Sequence, residues 1–234
     1  MEIIKQEKEN PVLDDLAKKQ LSRRRFMSWA GVLGATATVS LVACKKDDNN
    51  NNNGGVNLGS GDTGILNYAY ALEQLEAAFY TQVVASYYTG ISDEDKSILR
   101  DIRDHEIAHR ELFKVALSTS AIQDLEVDFS KVNFTSRDSV LATAKAFEDL
   151  GVAAYNGAGP LLQSKDFLAL AGKIVSVEAR HAAVIRDRIA FNTFVGPDVI
   201  EQTYATEISK SPSQVLAVAQ GFLKTKINGN NLPS

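Results

Sequence analysis

The chain has one cysteine, one tryptophan and two methionines among 234 residues, and all four lie in its first 44 positions (Met1, Met27, Trp29 and Cys44). A lone cysteine has no intrachain partner, so neither a disulfide framework nor a thiolate cluster organises the fold. Three histidines are the whole supply of imidazole. No apolar run is long enough for a membrane-spanning helix, because the mild stretch 29–43 is too short and too rich in Gly and Thr. Alternating strand patterns are almost missing, and only residues 125–129 read as a short extended piece. There is no excess of positive charge either. From Cys44 onward 18 Lys and Arg face 24 Asp and Glu, a net charge of −6, which argues against nucleic acid as a partner.

Two of the three histidines sit in Glu-x-x-His motifs, Glu106-Ile107-Ala108-His109 and Glu178-Ala179-Arg180-His181. Residues three apart on a helix share a face, so each motif aims one carboxylate and one imidazole at the same point. Both fall on apolar stripes: Ile102, Leu112 and Phe113 flank His109, and Ile174, Val177, Val184 and Ile185 flank His181. The remaining carboxylates emerge from an internal repeat. Aligning LNYAYALEQLEAAFY (66–80) with LATAKAFEDLGVAAY (141–155) gives seven identities in fifteen positions, among them Glu73 with Glu148 and Tyr80 with Tyr155. The chain thus reads as two helical hairpins of approximate two-fold symmetry, each ordered Glu, then Glu-x-x-His. That is the donor pattern of a carboxylate-bridged dinuclear site inside a four-helix bundle. Buried carboxylates without partners are costly, and four facing one core repel each other; two cations resolve the conflict. Carboxylate and imidazole without thiolate suit iron or manganese. Glu76 is the rival of Glu73, but it aligns with Gly151, so the repeat favours Glu73. His105 aligns with Val177 and reads as a supporting or surface histidine. Tyr80 and Tyr155, two turns beyond their glutamates, read as hydrogen-bond donors at the site or as core tyrosines with satisfied hydroxyls.

The expected architecture is all-α. Helices are expected at about 63–88, from Ser92 to about 117, from Ser136 or Thr135 toward Tyr155, and at about 166–191. Breaks are expected at Gly90 and at Gly157, Gly159 and Pro160. Residues 118–135 lack helical period and form one long crossover between the hairpins. Ser211-Pro212 starts a further, C-terminal helix with Val215, Leu216, Val218, Ala219 and Phe222 on its apolar side. The folded domain is placed at 62–228, behind a flexible Asn- and Gly-rich tether at 44–61.

Residues 1–43 read as an export signal. Ser22-Arg23-Arg24-Arg25-Phe26-Met27 resembles a twin-arginine motif, and Leu41-Val42-Ala43-Cys44 resembles the lipobox of bacterial lipoproteins. The resemblance implies cleavage before Cys44, a lipid on that residue and anchorage to a membrane. Lys45-Lys46-Asp47-Asp48 is similar to signals that send lipoproteins to the outer cell surface, which leaves the periplasmic side and the cell surface both open. Twin-arginine transport moves folded chains, so a metal can be chosen inside the cell.

Residues 66–222 resemble the exported ferritin-like family that includes desiccation-related proteins. The likeness is carried by LNYAYALEQLEAAFY, DEDKSILRDIRDHEIAHRELF, AFEDLGVAAYNGAGPLL and IVSVEARHAAVIRDRI. More distantly, the order of motifs is similar to bacterioferritins, rubrerythrins and manganese catalases. The resemblance implies that Glu73, Glu106, His109, Glu148, Glu178 and His181 hold two iron or manganese ions, with Glu106 and Glu178 bridging. It brings no defined reaction. Three expectations follow: a dimetal oxidase, peroxidase, catalase or ferroxidase; a metal-binding protein without turnover; or a structural envelope protein whose site stays empty. A lipid tether and a C-terminal helix obstruct packing into a closed storage shell, and a homodimer remains compatible.

Overall fold

The structure is a computed structural model, and it describes residues 54–234. The expected export signal, Cys44 and most of the tether lie outside the described residues.

Four long helices form two hairpins. The first is α1 (Gly61–Ala85) with α2 (Asp93–Leu117), and the second is α3 (Arg137–Ala158) with α4 (Lys165–Ile189). Serine side chains start three of them. Ser92, Ser136 and Ser164 accept from the backbone N–H three residues on, each such cap being worth about 1 kcal/mol. The all-α expectation holds. Among the described residues strand is confined to two-residue pairs: β1 (Val56–Asn57) beside β4 (Ile227–Asn228), parallel, and β2 (Ile200–Glu201) beside β3 (Thr206–Glu207), antiparallel.

The helices differ in how they are covered. Seventeen of the 25 residues of α1 are buried, against six of the 25 in α2. So α2 needs only one apolar stripe, whereas α1 is apolar nearly all round. The crossover explains the difference, because it runs over α1 and is hydrogen-bonded to it. Asn67 donates to the Ser120 carbonyl at 2.9 Å and accepts from Ile122 N–H at 2.9 Å. Two turns further on, Gln74 accepts from Leu125 N–H at 2.8 Å. The C-terminal helix α5 (Pro212–Ala219) opens with a capping box of Ser211 and Gln214. It lies against α1 and α3, with Val215 and Ala219 in the core. The extended piece expected at 125–129 is a single bridge, Val127 to Leu223.

Three boundaries depart from expectation. α1 stops at Ala85 because Tyr88 folds back into the core, 2% exposed, and donates to Asp95 at 2.8 Å. α3 runs through Gly157 to Ala158. Gly157 is there for close approach: a Cβ would lie 1.9 Å from the Lys210 carbonyl oxygen, where the chain crosses α3. The tail of the expected tether, from Val56, belongs to the folded body, since β1 pairs with β4 and Leu58 is fully buried. The pairing joins the two ends of the domain, and no local periodicity records such a contact.

Candidate metal centre

Each helix contributes at mid-length: Glu73 from α1, Glu106 and His109 from α2, Glu148 from α3, Glu178 and His181 from α4. The four carboxylates are fully buried. The structure brings all six side chains to one place, as two overlapping groups of donors. Glu73, Glu106, His109 and Glu178 form one; Glu106, Glu148, Glu178 and His181 form the other. Within each group the donor atoms lie within 4.8 Å of one another.

The distances repeat across the pseudo-two-fold. His109 Nδ1 is 3.5 Å from Glu73, 3.8 Å from Glu106 and 2.9 Å from Glu178 Oε1. His181 Nδ1 is 3.5 Å from Glu148, 3.8 Å from Glu178 Oε2 and 2.8 Å from Glu106. Glu106 and Glu178 therefore present one oxygen to each imidazole. Glu73 and Glu148 each face one imidazole only.

Hydrogen bonding separates inward from outward atoms. Tyr155 donates to Glu73 Oε1, and Tyr80 donates to Glu148 Oε1. Each tyrosine thus serves the glutamate of the opposite hairpin, not the one two turns before it on its own helix. Burial, and then the charge of the carboxylate it serves, pushes each phenol well above its ordinary value, so both stay protonated donors. Eight atoms of the cluster remain without an aligned hydrogen bond among the described residues: Glu73 Oε2, Glu148 Oε2, both oxygens of Glu106 and of Glu178, and Nδ1 of His109 and His181. Buried polar atoms in native proteins are almost always satisfied. Eight orphans converging from four helices are what a site for cations requires, and their chemistry, six oxygens and two imidazole nitrogens, fits iron or manganese.

Without cations the cluster balances its charge by moving protons. Burial pushes Glu73 up to about 7, and raises Glu148 and, further, Glu178. At Glu106, which faces both imidazoles, burial acts in the same direction but His109 and His181 overcome it and hold the carboxyl down at about 2. Burial likewise disfavours the imidazolium ions, yet the surrounding carboxylates raise His109 to about 12 and His181 to about 10.

His105 is an exposed residue whose Nδ1 lies 2.9 Å from His181 Nε2, the rings stacked at 5.1 Å. It holds the outward nitrogen of one site histidine, the usual place of a supporting partner. Tyr155 also borders an apolar cavity of about 20 Å³, together with Tyr68, Phe113 and Leu170. The tyrosine crossing escaped the sequence reading, because spacing along one helix says nothing about the helix opposite.

No match to a curated protein was found for this chain. The four helices that carry the cluster coincide with a family match over residues 61–190, more than half of the chain, and on that match the protein belongs to the ferritin-like domain family.

Proposed function

We propose that the protein is an exported, lipid-anchored member of this family that holds a dinuclear iron or manganese centre and reacts there with O2 or peroxide. One observation carries the reading: eight buried donor atoms from four helices converge with no hydrogen-bond partner among the described residues. Glu73 and His109 would hold one ion and Glu148 and His181 the other, with Glu106 and Glu178 shared. Four protein donors per ion are fewer than the six that these metals readily take, which leaves room for a small oxidant. An ion pair held this way supplies two-electron chemistry toward O2 or peroxide.

The chain's own residues prepare that chemistry. Tyr80 and Tyr155 fix the rotamers of the terminal glutamates and direct their second oxygens inward. With His181 bound through Nδ1, its proton sits on Nε2 and donates to His105. Ile102 and Phe113 on α2 and Ile174 and Ile185 on α4 are buried, and the carboxylates themselves have no exposure to solvent. Export rests on Arg23, Arg24 and the Leu41-Val42-Ala43-Cys44 run, with the membrane as partner through the lipid. No helix among the described residues is long and apolar enough to cross a membrane. A Cys44→Ala chain is expected in the soluble fraction, and one that stays with the membrane counts against the anchor. Arg23→Lys with Arg24→Lys should block export of the folded chain; unchanged export favours the general secretion route.

The deciding test is elemental analysis of protein folded in its own cytoplasm, followed by peroxide consumption with and without the metal. Two iron or manganese ions per chain and metal-dependent turnover are expected. A second reading, a structural or stress-related envelope protein with an empty bundle, is favoured by the cluster's ability to neutralise itself with protons. Protein that leaves the cytoplasm without metal would establish it.

A further inference from the structure

The two-fold that equates Glu73 with Glu148 fails one turn later, where Glu76 of α1 stands against Gly151 of α3. Glu76 is only 4% exposed, and no described residue hydrogen-bonds to or pairs with its carboxylate. A Cβ on Gly151 would lie 3.2 Å from Glu76 Oε1, 3.8 Å from Glu76 Oε2 and 3.8 Å from Glu178 Oε2. The carboxylate of Glu76 therefore borders the space left by the glycine, and the same space adjoins Glu178. The charges that act most strongly on Glu76 are those of Glu106, Glu178, Glu148 and Glu73, all of its own sign. A buried acid placed among four others, with no partner among the described residues, is stabilised by a proton or a cation. If filling space were the only requirement, an apolar side chain would meet it at lower cost.

We propose that Glu76 is a fifth carboxylate of the dinuclear centre, reaching it beside Gly151 and serving the ion held by Glu148 and His181. The choice of ion follows from the oxygen that borders the same space beside Gly151: it is Glu178 Oε2, which faces His181, whereas Oε1 faces His109. The inference rests on the dinuclear reading above and makes its two ion positions unequal. Five carboxylates also carry more negative charge than two divalent ions neutralise, so the donor set favours ions of higher charge.

Titration of the metal-free full chain with Mn(II), followed by calorimetry and by the EPR spectrum of the bound ions, tests this. Wild type should take two Mn(II) with a spin-coupled spectrum. Glu76→Gln should weaken one of the two ions about 10- to 100-fold, the range for loss of a supporting group at a metal site. Gly151→Ala keeps the charge but presses on Glu76 Oε1 at 3.2 Å, so it should weaken the same ion by a smaller factor; it also stands in if the glutamine variant fails to fold. Wild-type dissociation constants in both variants would overturn the inference alone. A wild-type chain that binds no Mn(II) would overturn the dinuclear reading and this inference with it.

Discussion

The two hairpins carry the same donors and treat them differently. In the second, Glu148, Glu178 and His181 are accompanied by Gly151 and Val177. In the first, Glu73, Glu106 and His109 are accompanied by Glu76 and His105, at the corresponding positions. Both additions of the first hairpin meet the second: His105 holds His181, and Glu76 borders the space beside Gly151 that Glu178 Oε2 also borders. The inner distances, by contrast, agree between the halves to within 0.1 Å (2.9 against 2.8 Å at the shortest contact). The repeat thus preserves the six-residue cage, and the departures from it distinguish two otherwise equal positions.

The most damaging way to break the comparison is to remove an imidazole. At a thousandfold excess of Fe(II) or Mn(II) over the dissociation constant, wild type should gain on the order of 4 kcal/mol. His109→Ala and His181→Ala should each lose most of that gain, while the metal-free bundle stays folded on its apolar stripes. Thermal melts of all three proteins, with and without metal, measure it. A wild-type midpoint that moves with neither metal would favour the empty-bundle reading.

Acid should act on both halves together. Metal must displace protons from His109, His181 and the raised glutamates, so affinity should fall about tenfold per pH unit for each proton displaced. The metal-free protein runs the other way between pH 5 and 8. The raised Glu73 contributes stability that is full below its unfolded value and is lost as pH rises through about 7. The imidazoles, raised to about 12 and 10, begin to lose theirs above their ordinary value of 6.5 and go on losing it at higher pH. Glu106, held at about 2, loses its contribution only in strong acid. Melting curves should therefore diverge with rising pH, metal-loaded protein upward and metal-free protein downward. Parallel curves would contradict the proton count.

A finer cut separates the halves. Tyr155→Phe frees Glu73 and Tyr80→Phe frees Glu148, and each should weaken its own ion, on the order of tenfold, with the other ion little changed. Metal titration that shows both ions equally weakened by either variant would contradict the crossed pairing. The smallest effect expected is that of His105→Ala, a change of a few-fold confined to the His181 ion, because an exposed partner is readily replaced by water. An effect on both ions, or none, would place His105 outside the asymmetry.

Much of this was legible before any coordinates. Glu-x-x-His spacing and the repeat of Glu73 with Glu148 are local patterns, and a helix converts local spacing into a shared face. Ser92, Ser136 and Ser211 announced helix starts through short-range hydrogen bonds. What stayed hidden depends on contacts between segments remote in sequence. The role of Gly157 is set by the Lys210 backbone, the partner of Tyr80 by α3, and the seam of β1 with β4 by the two ends of the domain. Residues 190–211 had no periodic pattern. They are held by Arg186, which donates to Asp149 at 2.7 and 2.8 Å and to Asp198 at 2.8 and 3.1 Å, a clasp that no single segment records.

The crossed tyrosines have a consequence for how such a cage can come into being. Either hairpin alone owns half of the inward donors and a phenol whose acceptor is elsewhere. Neither can rehearse its half of the cage before the other arrives, so the centre is completed by docking and not by local folding. An ion caught there would act as a rivet between two pieces that the crossover joins only loosely in sequence. In quaternary terms the domain is a two-fold dimer whose subunits happen to share one chain.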